Sequence, residues 1–150
     1  MGLAGGAQWG KLRNVAIWRG GSGMGDKTVV EKLGLKAGQR MVLLRVPDGV
    51  AQGIGALPDG VALGLDTADS ADVAVLFARD RAQLLAQLAG ARAMMVDGGR
   101  LWLAYLKGRA GRQGGINRDS IAILAADFGL AAVSIIVVDA DWSALRVKPV

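Results

Sequence analysis

Four cations and no acid occupy residues 107–118: Lys107, Arg109, Arg112 and Arg118 stand among glycines in KGRAGRQGGINR. That composition suits contact with phosphate groups, on a small ligand or along a nucleic-acid backbone. Arg and Gly without interleaved aromatics are poor equipment for stacking single-stranded bases. Arg79 precedes Asp80 and an amphipathic stretch, so it offers an anion contact beside a helix N-terminus. Read as a cap, Asp80 fills that position itself. Asp48-Gly49 can bring backbone N–H groups close to a ligand, or form a plain Pro-Asp-Gly turn. Asp66 can accept from a ribose hydroxyl, or simply end a strand. Trp142 sits in a tight turn, where an aromatic ring can stack on a base or anchor a partner. It can equally pack on a neighbouring helix.

The missing residue types narrow the chemistry. The chain of 150 residues has no Cys and no His. That removes disulfides, thiol nucleophiles, iron–sulfur clusters and ordinary structural zinc. It also removes the commonest general base near neutral pH and the Ser-His-Asp arrangement. Acid–base work would fall to Asp, to Lys, to the single glutamate Glu31 or to the single tyrosine Tyr105. Each needs a large pKa shift to act near neutrality. No catalytic residue and no metal site is therefore expected. The net charge of +5 is uneven: residues 1–23 carry Lys11, Arg13 and Arg19 and no acid. That segment has no sustained period and is expected to be a loosely attached extension, with Met24 as an alternative native start. Residues 24–150 are expected to form one domain. No apolar stretch reaches the ~18 residues of a membrane span, and a cytoplasmic setting is expected.

The elements that would position these groups alternate. Thr28 and Glu31 spell a capping box for a short helix that Gly34 stops. Apolar strands follow at Met41–Val46, Val61–Leu65 and Val73–Ala78, the third apolar throughout, as a strand covered on both faces should be. Asp80 caps a helix whose inward stripe is Leu84, Leu88, Ala91 and Met95, with Leu85 beside it. Val96–Gly99 turns the chain into a strand at Arg100–Leu106, and Lys107–Gly115 forms a basic loop. Asn117 or Asp119 caps a helix with Ile121, Leu124, Ala125 and Phe128 inward, ended by Gly129. Ala132–Val138, a turn at Asp139–Trp142 and an antiparallel strand Ser143–Lys148 close the chain. The result is an α/β, Rossmann-like, doubly wound, mostly parallel six-stranded sheet with a C-terminal antiparallel hairpin strand. Ligands in such sheets bind beyond the strand carboxyl ends, where the strand order reverses. Here that lies between the first and third strands. Asp48, Gly49, Asp66, Arg79, Lys107, Arg109, Arg112 and Trp142 all fall on that edge.

Two resemblances follow from specific pieces of the chain. LGLKAGQRMVLL, VDGGRLWLAYL and VSIIVVDADWSALRV, in that order, resemble the class I, Rossmann-like methyltransferases. The likeness implies a reduced version of their topology. Asp48-Gly49 stands in place of the Gly-rich loop, Asp66 stands where a ribose acid sits, and there is no room for the helix and strand between strands two and three. A closer resemblance covers about residues 28–148. KLGLKAGQR, VPDG, GALPDGV, ADVAVLF, GGRLWLAYLK and DADWSALRV are similar to the bacterial domain of unknown function 3052 family, with Leu106 where that family usually has Pro. The expected function is a non-catalytic module that binds a small anionic ligand or a protein partner at the strand ends. One alternative is a diverged S-adenosylmethionine-dependent methyltransferase. Another is a nucleic-acid accessory protein using the basic loop. No membrane contact is expected, and the oligomeric state stays open.

Overall fold

The computed structural model describes residues 28–66, 69–108 and 115–150. The N-terminal extension with Met24, and the site candidates Arg109 and Arg112, lie outside them. α1 spans Val29–Leu33 and β1 Arg40–Leu44; a 3₁₀ turn, Ala51–Gly53, precedes β2 at Ala62–Leu65. β3 is Ala71–Ala78, α2 Arg81–Met94, β4 Met95–Leu106, α3 Arg118–Asp127, β5 Leu130–Val137 and β6 Trp142–Pro149. The sheet order is β2-β1-β3-β4-β6-β5. β1 to β4 run parallel, and β6 lies antiparallel between β4 and β5.

Strand periodicity sorts the apolar side chains into two cores. Val42, Leu44, Ala74, Leu76, Leu103 and Leu145 face α2 and α3, meeting Leu84, Leu88, Ala91, Ile121, Leu124 and Ala125. Met41, Leu43, Val73, Val75, Phe77, Trp102 and Ala144 face the other way. That second face has little helix. α1 covers it with Val29, Val30 and Leu33, and the β1–β2 connection adds Val50, Ile54 and Leu57. The two are tied together, since the Val30 N–H donates to the Ile54 carbonyl at 2.8 Å. A side chain on Gly55, at φ +114, would sit 2.6 Å from Thr28 Cβ, so glycine is what lets this loop touch the start of α1. Inside the face, Trp102 Nε1 donates to the Leu33 carbonyl at 3.2 Å.

Local signals placed the caps. Thr28 and Glu31 form a reciprocal capping box, and Gly34 ends α1 at φ +85. Asp80 caps α2 through the Gln83 N–H, and Asn117, not Asp119, caps α3. Met95 corrects the inward stripe, because the helix ends at Met94 and Met95 opens β4; Leu85, beside the stripe, is 42% exposed. One residue is about 100° of helix rotation, which carries Leu85 away from the Leu84, Leu88 and Ala91 line. Val96–Gly99 is also not a separate turn. β4 already pairs with β3 at Met95 opposite Ala71, then resumes at Arg100 opposite Val73, so the extra residues bulge out of the ladder.

The β2–β3 connection is short for parallel strands, with five residues between Leu65 and Ala71. Short β2 makes this possible. Leu65 lies beside Leu43, and Val73 beside Met41. The chain therefore retreats roughly 13 Å along the strands and about 10 Å across them. That is within the ~20 Å reach of six extended links. At the far side, the Arg40 N–H donates to Asp72 Oδ2 at 2.9 Å and pins the start of β3 to the start of β1.

Replacing Trp102 by Phe removes the indole donor and opens space beneath α1. It is expected to lower stability by about 2 kcal/mol, read from the urea midpoint.

Candidate functional site

The strand order reverses between β1 and β3, and the ends of β1, β2 and β3 enclose a cleft of about 360 Å³. Arg45, Val46, Asp66, Phe77, Arg79, Gln83 and Trp142 line it. Its floor rests on two non-glycine residues in left-handed conformation, Arg45 at φ 58 and Asp66 at φ 65. Such a residue costs about 1 kcal/mol or more, and here each supports the other. The Arg45 N–H donates to Asp66 Oδ1 at 2.7 Å, and the Asp66 N–H donates to the Leu43 carbonyl at 2.9 Å. The pair turns both chains off the sheet at the same level and aims both side chains at the cleft.

β3 delivers Arg79. Its N–H donates to Gln83 Oε1 at 2.8 Å, while the Gln83 N–H donates to Asp80 Oδ1 at 2.9 Å. The α2 N-terminus is thus occupied by its own carboxylate, and an anion in the cleft would meet the Arg79 side chain instead of the helix end. The Arg79 guanidinium lies 5.6 Å from the centre of the Trp142 ring.

Trp142 corrects the expectation of a rim aromatic. It is 4% exposed and meets Phe77 edge-on, with centroids 5.3 Å apart at 77°. It packs on β3, not on a helix, and forms a wall of the cleft. The turn before it is held by Asp139 Oδ1, which accepts from the N–H groups of Asp141 and Trp142, both at 2.8 Å.

The sequence placed eight residues on one edge, and the structure distributes the six that lie among the described residues. Asp66, Arg79 and Trp142 share the cleft. Asp48 and Gly49 do not line it: they are exposed in a turn closed by Val50 N–H to the Pro47 carbonyl at 3.2 Å, with Gly49 at φ +86. Lys107 is on the same rim, since its N–H donates to the Asp141 carbonyl at 2.8 Å. Its side chain, however, lines a separate depression of about 310 Å³ with Tyr105, Asn117, Arg118, Asp119, Ile135 and Ser143. Tyr105 belongs to the core under α2 and α3 and Trp142 to the opposite core, so the sheet divides the two groups.

Arg45, Tyr105 and Ser143 are among the lining residues that the sequence does not single out as binding candidates. Arg45 falls at a strand end, although its place ahead of Pro47-Asp48-Gly49 puts it at the reversal. Tyr105 and Ser143 fall within strands. Two-residue spacing places Tyr105 on the same face as Lys107, and that was the available signal. Burial raises the Tyr105 pKa above its usual value, against the opposing pull of Arg118 and a hydrogen bond with Ser143. Among the described residues no group of three or more acidic side chains is placed to hold a metal ion. No helix among them is long and apolar enough to cross a membrane.

The raised Tyr105 pKa means that folding favours the neutral phenol. Its stability contribution is full below the unfolded pKa near 10 and is lost as pH rises through the folded value. As the single tyrosine, its phenolate absorbance is expected to appear at higher pH in the folded chain than in urea. Arg118→Gln should move it higher still.

Comparison with known proteins agrees with this architecture. Solved structures with similar folds include the DhpI–SAH complex, at 12% identity and TM-score 0.54, with 95% of each chain covered. TrmN from Thermus thermophilus matches at 11% identity and TM-score 0.48 over 81% of this chain; the chain spans about half of that protein's length, 47%. Fibrillarin from Aeropyrum pernix matches at 14% identity and TM-score 0.46, over 93% of this chain and 76% of its own. At 12% identity the likeness to the DhpI–SAH complex is one of fold alone, a Rossmann-like fold. No curated protein matches the sequence significantly. The model of the family described as "Protein of unknown function (DUF3052)" matches residues 30–149, and the chain belongs to that family.

Proposed function

We propose that this chain is a non-catalytic binding module whose strand-end cleft takes a small ligand bearing phosphate or carboxylate groups. One observation carries the reading. Arg45 and Arg79 come from two adjacent strands and line one cleft, yet neither guanidinium has an ion-pair partner among the described residues, where the pairs are Arg40–Asp72 and Arg118–Asp119. Among the described residues Asp66 is the sole carboxylate in the lining, and one of its oxygens is committed to the Arg45 N–H. The cleft therefore carries net positive charge, in a concave place where field is focused. Phe77 and Trp142 add an apolar wall for the body of the ligand. Among the described residues Asp66 is the lining's acid–base candidate, and its Oδ1 already accepts from the Arg45 N–H, which favours binding over chemistry.

A second reading is a diverged methyltransferase, favoured by the fold shared with the DhpI–SAH complex. The cleft fits that cofactor poorly. S-adenosylmethionine carries a sulfonium and an ammonium against one carboxylate, so it would enter as a cation beside two guanidiniums. The β1 turn also fills its approach with the Arg45 side chain, where close backbone contact needs glycine.

Calorimetric titration of the full chain with pyrophosphate and with adenosine monophosphate tests the proposal. Saturable binding is expected, weakened about tenfold or more by Arg45→Gln and again by Arg79→Gln. Equal affinity in the double variant would remove the cleft from consideration. Heat with S-adenosylhomocysteine, and none with either phosphate compound, would favour the second reading.

A further inference from the structure

On the face covered by α2 and α3, the last row of side chains before the strand ends differs from the row beneath it. Leu76, Leu103, Leu145 and Ile135 stand side by side across β3, β4, β6 and β5, all apolar. One step nearer the rim the row is Ala78, Tyr105, Ser143 and Val137, so a phenol and a hydroxyl are neighbours. Strand alternation puts both on the same face as Leu103 and Leu145. They line the depression of about 310 Å³ between the end of β4, the start of β6 and the start of α3. That volume is at the small end of the ~300–1,000 Å³ range of ligand sites.

Tyr105 is 7% exposed and Ser143 5%. Their hydroxyls hydrogen-bond to each other. Each carries one proton, so a single bond between them leaves the other proton free to donate. Lys107 lines the depression without an ion-pair partner among the described residues. Arg118 does have one, Asp119, but the pair is long at 3.8 Å and its side chains are 64% and 87% exposed. Such a pair holds weakly. The phenol feels the Arg118 charge more strongly than that of Asp119, so the field at the hydroxyls is positive. The Ser120 N–H at the start of α3 is already taken by Asn117 Oδ1, at 2.9 Å. An anion here would therefore meet side chains, not the helix end. Ile135, an exposed apolar residue, forms part of the wall.

We propose that this depression is a second ligand site, taking a small phosphate monoester. The phosphate accepts the free hydroxyl proton of the Tyr105–Ser143 pair and faces the cations of Lys107 and Arg118, while the organic group lies against Ile135. Two cations and a hydroxyl donor match a group of about two negative charges and three acceptor oxygens better than they match a carboxylate. The sheet separates this site from the cleft of Arg45 and Arg79, and it stands whether or not that cleft binds anions.

Backbone amide shifts of the full chain, followed while phenyl phosphate is added at constant ionic strength, test it. Saturable shifts of Lys107, Arg118 and Ser143 are expected, and none with phenol. The same shifts are expected when Arg45→Gln and Arg79→Gln are combined, which strips the other cleft of its cations. Tyr105→Phe with Ser143→Ala deletes both hydroxyls, keeps the ring and leaves neither partner unmet. That chain should melt within a few degrees of the parent and bind phenyl phosphate at least about tenfold more weakly. Should it fail to fold, Lys107→Gln keeps the backbone bond to Asp141 and is expected to weaken binding several-fold. Undiminished binding by the folded hydroxyl variant or by Lys107→Gln overturns the site, as do phenol shifts equal to those of phenyl phosphate. Loss of the shifts in the Arg45 and Arg79 variant, or shifts confined to Arg45 and Asp66 in the parent, overturns it too, while leaving the strand-end cleft standing.

Discussion

β3 buries seven of its eight side chains, so the sheet must be covered on both faces along its centre. Every other feature of the molecule answers that demand. One face is met in the ordinary way, by two helices whose stripes interlock with alternate strand residues. The other is met by a helix of five residues and an irregular connection that inserts Val50, Ile54 and Leu57. This economy is possible because the loop is anchored, by the Val30–Ile54 hydrogen bond and by the close pass of Gly55 over Thr28. Trp102 completes the cover by filling the space beneath α1 and bonding the last turn of the helix.

The same thin cover shapes the strand-end cleft. With no helix following β1, the chain leaves the sheet through Arg45 in a left-handed conformation, and β2 ends in the same way at Asp66. Mutual hydrogen bonding makes these turns tolerable and brings a guanidinium and a carboxylate to the crevice. β3 adds a second guanidinium, which lies over the ring of Trp142. Walls of side chains, instead of bare glycine backbone, separate this crevice from one built to close on a pyrophosphate.

Charge is placed unevenly over the fold. Asp80 takes the N-terminus of α2, and Asp72 takes Arg40, so acids are spent on holding elements together. The cations Arg45 and Arg79 at one end, and Arg146 and Lys148 at the other, keep no carboxylate of their own among the described residues. In a low-dielectric recess such a group attracts an anion far more strongly than the same group on an open surface.

Much of the architecture is legible in the residues alone. Thr28 with Glu31, Asp80, Asn117 and Gly129 mark helix ends, because cap chemistry acts over three or four residues. Apolar periodicity separates strands from helices for the same short-range reason, and alternation of the two types implies the parallel sheet and its reversal point. What the tertiary structure decided is which face each rim residue serves. Lys107 and Trp142 share a rim by a backbone hydrogen bond, yet the sheet sends their side chains apart. Trp142 is buried because Phe77, some sixty-five residues earlier, lies against it. Arg146, paired with Trp102 on one side and Ser134 on the other, is left with an Nε buried and without a hydrogen-bond partner. These outcomes depend on pairing between segments far apart in the chain, and no window of sequence contains both partners.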